Sequence, residues 1–126
     1  MPRIEGKTSQ APAPVAPYSQ AVRIANTVAA AGQGGVDPST GALVGDDVAS
    51  QTVQTFKNIE AVLASAGATL DDVVRVDVYL ADMNDFAQMN AQYATVFSEP
   101  YPARTTVGVH LPGGMKVEIT ALAVPE

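Results

Sequence analysis

The sequence predicts an α+β domain in which one sheet carries two helices on a single face. Three observations predict it. Short alternating apolar runs occur near the start, in the middle and at the end of the chain. Two longer segments repeat their apolar residues at helical spacing, and the elements run strand, strand, helix, strand, helix, strand, strand. A chain of 126 residues fits one domain over 1–126, and no internal repeat or composition break divides it.

Residues 1–17 hold four of the nine prolines, three of them in an Ala-Pro run from Ala11 to Pro17. Proline has no N–H to give a ladder, so this segment reads as an extended lead-in. Ser19 to Ile24 and Thr27 to Gln33 form a hairpin about Ala25-Asn26, with Asn26 expected to take positive φ. Asp37-Pro38-Ser39-Thr40-Gly41 is a turn by composition and leads to a further short extended piece. The first helix is marked by Val48, Thr52, Thr55, Phe56, Ile59, Val62, Leu63 and Ala66 on one face. Asp46 or Asp47 is its N-cap and Gly67 its C′ glycine.

A strand from Asp72 to Leu80 follows, with Val74, Val76, Val78 and Leu80 on one face and Arg75, Asp77 and Tyr79 on the other. The second helix starts at Asn84 or Asp85, and its inner stripe reads Phe86, Met89, Tyr93, Val96 and Phe97. Asn90 lies on or beside that stripe, where an amide needs a partner, either a neighbouring loop or a ligand. Two last strands, Arg104 to Val109 and Lys116 to Val124, are joined through Leu111-Pro112-Gly113-Gly114.

Composition narrows function. A net charge of -6 with only seven scattered Lys and Arg argues against nucleic acid and anionic membranes as partners. Without cysteine there are no disulfides, thiolate nucleophiles or cysteine metal sites. One histidine, His110, with no carboxylate cluster beside it makes a poor metal site, and Asp71-Asp72 reads as a strand entry. Gly34-Gly35 and Gly113-Gly114 lack the strand-to-helix setting of a phosphate loop. No export signal or apolar span of transmembrane length is visible, and a cytoplasmic protein is expected.

In the last strand Val117, Ile119, Ala121 and Ala123 make a small apolar face suited to lying under helices. If Val107 and Val109 also face the helices, then Arg104, Thr106 and Gly108 project from the other face together with Glu118. Leu122 and Val124 share that face, so it calls for cover by a second copy of the chain. Charges desolvated there must pair or receive a charged ligand. An Arg104–Glu118 salt bridge and a carboxylate site built on the Arg104 fork both remain open at this point.

Pro17-Tyr18-Ser19-Gln20, Ala31-Gly32-Gln33, Asn84-Asp85-Phe86 with Asn90, Pro102-Ala103-Arg104-Thr105 and Val117-Glu118-Ile119 together resemble the RidA (YjgF) family. The ordered set spans nearly all the chain from about residue 11. The resemblance implies a chorismate-mutase-like mixed sheet, a homotrimer with clefts between subunits, and no metal or organic cofactor. It implies hydrolysis of small enamine and imine carboxylates to 2-keto acids and ammonia. By the same resemblance Arg104 anchors the substrate carboxylate, Glu118 positions or activates water, and Tyr18, Gly32 and Asn90 line the cleft. Ala31 stands where serine is common and Thr106 where cysteine is frequent, and the chain is slightly shortened before Pro102. These changes bear on substrate preference. A deaminase of a longer enamine such as 2-aminomuconate and a non-catalytic metabolite-binding or chaperone-like protein remain the alternatives; ribonuclease activity fits the acidic charge least.

Overall fold

The computed structural model describes residues 1–126 as a six-stranded mixed sheet with two helices on one face. The elements are β1 (Ile4–Gly6), β2 (Ala21–Ile24), β3 (Thr27–Gln33), α1 (Val48–Ser65), β4 (Val73–Leu80), α2 (Phe86–Val96), β5 (Ala103–Gly108) and β6 (Val117–Ala123). They are ordered β1-β2-β3-β6-β4-β5 in the sheet. All neighbours are antiparallel except β4 and β5, which α2 joins as a crossover. β1 lies within the stretch expected to be only a lead-in. It pairs with β2 as an edge strand, before the proline run begins.

The hairpin closes where expected, with Ile24 opposite Thr27, but Ala25 takes the positive φ of 51°. Asn26 does not. The Ala25 carbonyl accepts from Arg23 Nε at 2.8 Å.

Asp47 caps α1 by accepting from the Ser50 N–H at 2.8 Å. At the other end Gly67, at φ 81°, allows a Schellman closure. Ala68 N donates to Leu63 O at 2.9 Å and Gly67 N to Ala64 O at 3.1 Å. Arg23 Nη1 then takes the Ala66 carbonyl at 2.9 Å. The inner face buries Val48, Phe56, Ile59, Val62 and Leu63, and each fully buried Ile or Leu contributes roughly 1.5–3 kcal/mol.

Two buried amides on α1 were not singled out by its apolar spacing. Gln51 Oε1 accepts from Lys116 N at 2.8 Å and its Nε2 donates to Gly45 O at 2.9 Å. Asn58 Nδ2 serves Gly34 O and Val36 O at 3.1 and 2.9 Å. They pin the β3–α1 connection and the start of β6 to the helix, giving loop carbonyls the donors that a sheet would otherwise supply.

The start of α2 differs in detail from expectation. Neither Asn84 nor Asp85 caps it through its side chain. A 3₁₀ turn over Met83–Asp85 runs directly into the helix, and Asp82 caps that turn by accepting from Asn84 N.

Two strand faces also differ. A bulge in β4 sets Val73 opposite Ala123 and Arg75 opposite Leu122, so Val73 turns inward and Val74 is 47% exposed. The parallel register of β4 and β5 pairs Val76 with Arg104 and Val78 with Thr106. Val76 and Val78 are fully buried under the helices, so Arg104 and Thr106 lie on the helix side. Val107 pairs with Tyr79 on the uncovered face and is 39% exposed. Arg104 and Glu118 therefore project from opposite faces, not from one. No helix is long and apolar enough to cross a membrane.

Candidate active site

The edge strand β5 carries Arg104 beneath α2. Its guanidinium carbon sits 4.6 Å from the Tyr93 ring centroid and 5.5 Å from that of Phe86. Such stacking favours a cation without occupying its N–H fork. The Arg104 side chain makes no hydrogen bond or ion pair within the chain, whose single ion pair joins Arg75 to Asp77. A structural Arg104–Glu118 bridge is thereby excluded within one subunit. Asn90, Tyr93, Ala94, Tyr101, Pro102 and Arg104 line a cavity of about 350 Å³.

Two hydroxyls near this cation are buried without partners, Tyr93 OH and Thr106 Oγ1. Tyr93, only 6% exposed, packs edge-on to Phe56 at 5.7 Å and against Phe97 at 5.1 Å. Burial raises its phenol pKa above the ordinary value, and the Arg104 charge opposes that shift. Asn90 also makes no side-chain hydrogen bond within the chain, although it lines the cavity. An unpaired guanidinium with a free amide in the same cavity has the donors that a small anion would need.

The second cluster lies around Glu118 on the uncovered face, opposite Tyr79 in β4. Between Ala30 and Gln33 the β3–β6 register slips, and this bulge holds Ala31 and Gly32. Gly32 comes so close to Glu118 that a Cβ there would stand 3.0 Å from Glu118 Cδ. Ala31 N donates to Gln20 O at 2.9 Å, fixing the bulge to the residue before β2. Tyr18, Gly32, Met115 and Glu118, with Pro12 and Val15, are among the residues around a cavity of about 410 Å³.

The seven residues expected at the site thus divide. Tyr18, Gly32 and Glu118 share one cavity with Ala31 beside it, whereas Asn90 and Arg104 share another with Thr106 along the strand. Glu118 and Val107 flank Tyr79, and Arg104 is three residues from Val107. With strands about 4.8 Å apart and a rise of about 3.3 Å per residue, their Cα atoms are roughly 14 Å apart. They also point to opposite sides. Sequence reasoning placed Tyr93 in the core and missed its second role under Arg104; a tyrosine on a core stripe, whose hydroxyl needs a partner, was the available signal.

Fold and site together define a small mixed-sheet domain with an unpaired guanidinium in one cavity and a carboxylate in another. A family model described as Endoribonuclease L-PSP matches residues 8–125. A RutC family protein of Pyrococcus abyssi is 48% identical over 120 residues, 94% of each chain. The Mus musculus 2-iminobutanoate/2-iminopropanoate deaminase is 46% identical over 118 residues, 93% of this chain and 87% of that protein. The crystal structure of RidA from the Antarctic bacterium Psychrobacter sp. superposes with a TM-score of 0.90 at 45% identity, covering 94% of this chain and 97% of that one. The chain belongs to the RidA (YjgF) family.

Proposed function

We propose that this protein is a hydrolytic deaminase that converts reactive 2-enamine and 2-imine acids to 2-keto acids and ammonia. The observation that carries the reading is the uncompensated Arg104 guanidinium, stacked on Tyr93 beside two unpartnered hydroxyls. That arrangement suits a small carboxylate, and relatives such as the mouse protein are named for 2-imino acids. A net charge of -6 favours this reading over an RNA substrate.

The two clusters act together when identical subunits associate, as a homotrimer in this reading. The uncovered face of one subunit, with Tyr18, Gly32 and Glu118, meets the β5 edge of the next, with Asn90, Arg104 and Thr106. Exposed Val107 and half-buried Leu122 support burial of that face. Arg104 grips the substrate carboxylate in a bidentate fork and orients C2, supplying proximity more than chemistry. Water adds across the C2=N bond: its oxygen bonds to C2 and its proton reaches nitrogen, with Glu118 relaying it. The resulting carbinolamine passes its hydroxyl proton to nitrogen, the C–N bond breaks, and 2-keto acid and ammonia leave. All atoms come from imine and water, so no cofactor is required.

The test generates imines with an amino-acid oxidase and traps them with semicarbazide. The protein should suppress trapping and speed keto-acid formation, and Arg104→Ala should abolish this while leaving the oligomer intact. Suppression that survives in Arg104→Ala would remove Arg104 from its assigned role.

A further inference from the structure

We propose that Gln20 is a positioning residue that holds the proline-rich lead-in as a fixed wall of the Glu118 cavity, and so sets which substrate side chains fit. The proposal rests on the reading that the substrate occupies that cavity.

Gln20 is only 2% exposed, yet it lies outside any strand. Its Oε1 accepts from Thr8 N at 2.8 Å. Its Nε2 donates to Thr8 O at 3.0 Å and to Pro12 O at 2.9 Å, with Ala11 O at 3.3 Å sharing the second proton. One amide thus bonds one N–H and three carbonyls of a segment that has no ladder of its own. Prolines within it can donate nothing, so its carbonyls depend on donors from elsewhere. The Gln20 main-chain carbonyl meanwhile accepts from Ala31 N at 2.9 Å, in the bulge that brings Gly32 against Glu118. Two walls of the cavity therefore meet at one residue.

The segment that Gln20 holds is not remote from the site. Pro12, Ala13, Val15 and Tyr18 line the same cavity as Gly32 and Glu118. Proline, alanine and valine side chains offer a ligand only shape and apolar contact, so a displaced wall changes size discrimination without touching Glu118 or Arg104. Gln20 touches no reacting atom. Its effect passes through the backbone of Thr8–Pro12.

Gln20→Met keeps the length of the side chain and removes every hydrogen bond. We expect hydrogen exchange of the Thr8 amide to quicken about tenfold or more, because its N–H donates to the Gln20 side chain. Binding is read by thermal stabilisation with pyruvate and with 4-methyl-2-oxopentanoate. In Gln20→Met the ratio of their affinities should move at least about fivefold from the wild-type ratio, the scale of one net hydrogen bond. Ala13→Leu, which leaves Gln20 unaltered, should shift preference toward pyruvate by narrowing the cavity. Unchanged exchange in Gln20→Met would overturn the proposal. So would faster exchange with the wild-type ligand ratio retained, since that is what a purely structural residue gives. An Ala13→Leu variant with unaltered preference would show that the segment is not a wall. Failure of the wild type to bind either keto acid would instead overturn the carboxylate-site reading, and the exchange measurement separates the two cases.

Discussion

Arg104 is a charged side chain whose counter-ion is absent from its own chain. Aromatic faces hold it in place without using its donors, and the Tyr93 and Thr106 hydroxyls beside it are also unpaired. Half-buried and lining a cavity, Arg104 keeps its donors free for an anion, the role proposed for it above. Across the sheet, Gly32 does a different job. Its missing side chain leaves the Glu118 carboxyl where it stands, since a Cβ would come within 3.0 Å of Glu118 Cδ and 3.2 Å of its Oε1. Gly32→Ala is expected to displace that carboxylate and lower kcat about 10- to 100-fold, with little change in unfolding temperature. Wild-type turnover from a folded Gly32→Ala variant would count against Glu118 as the group that handles water.

At the scale of elements, α1 shows how much the residues alone could establish. Its apolar spacing, its Asp47 cap and its Gly67 stop all lie where local chemistry demands them. Hydrogen bonds from the Ser50 hydroxyl and then the Ser50 N–H hold the Asp47 carboxyl below its ordinary pKa. A carboxyl that titrates lower folded than unfolded stabilises fully above the unfolded value, about 3.9. That stabilisation disappears as acid protonates the folded group. Asp47→Ala should therefore lower the unfolding temperature at neutral pH, and the gap from wild type should narrow as pH falls below about 4 and on through the lower folded value. A gap that persists unchanged at pH 2 would mean that the cap works through something other than its charge. Strand β5 shows the opposite case. Val107 and Val109 look like core residues in the sequence, but both sheet faces are apolar enough to want cover, so alternation cannot say which face the helices take. The parallel register with β4 decides it, and that register depends on how α2 crosses over. Arg104 reads as the wrong charge in the wrong place for the same reason: its neighbours are aromatic rings from an element eleven or more residues away in sequence, from Phe86 to Tyr93. The β4 bulge at Val74 and the short β1 strand likewise depend on their pairing partners, so strand alternation missed them.

At the scale of the whole molecule, the seven residues picked out by motif fall into two groups on opposite sides of one sheet. Family motifs found the residues; only the fold shows that a single chain cannot unite Arg104 with Glu118. In the proposed assembly each cleft takes Arg104 from one subunit and Glu118 from the next, so the unit of function is the interface. Complementation between two inactive variants tests this most directly. Arg104→Ala and Glu118→Gln are co-expressed in equal amounts, and the mixed oligomers are assayed by suppression of semicarbazide trapping. Random mixing in a closed ring restores both groups to about a quarter of the clefts, so about a quarter of wild-type activity should return. Activity no greater than the average of the two parents, in oligomers shown to contain both chains, would contradict a cleft shared between subunits.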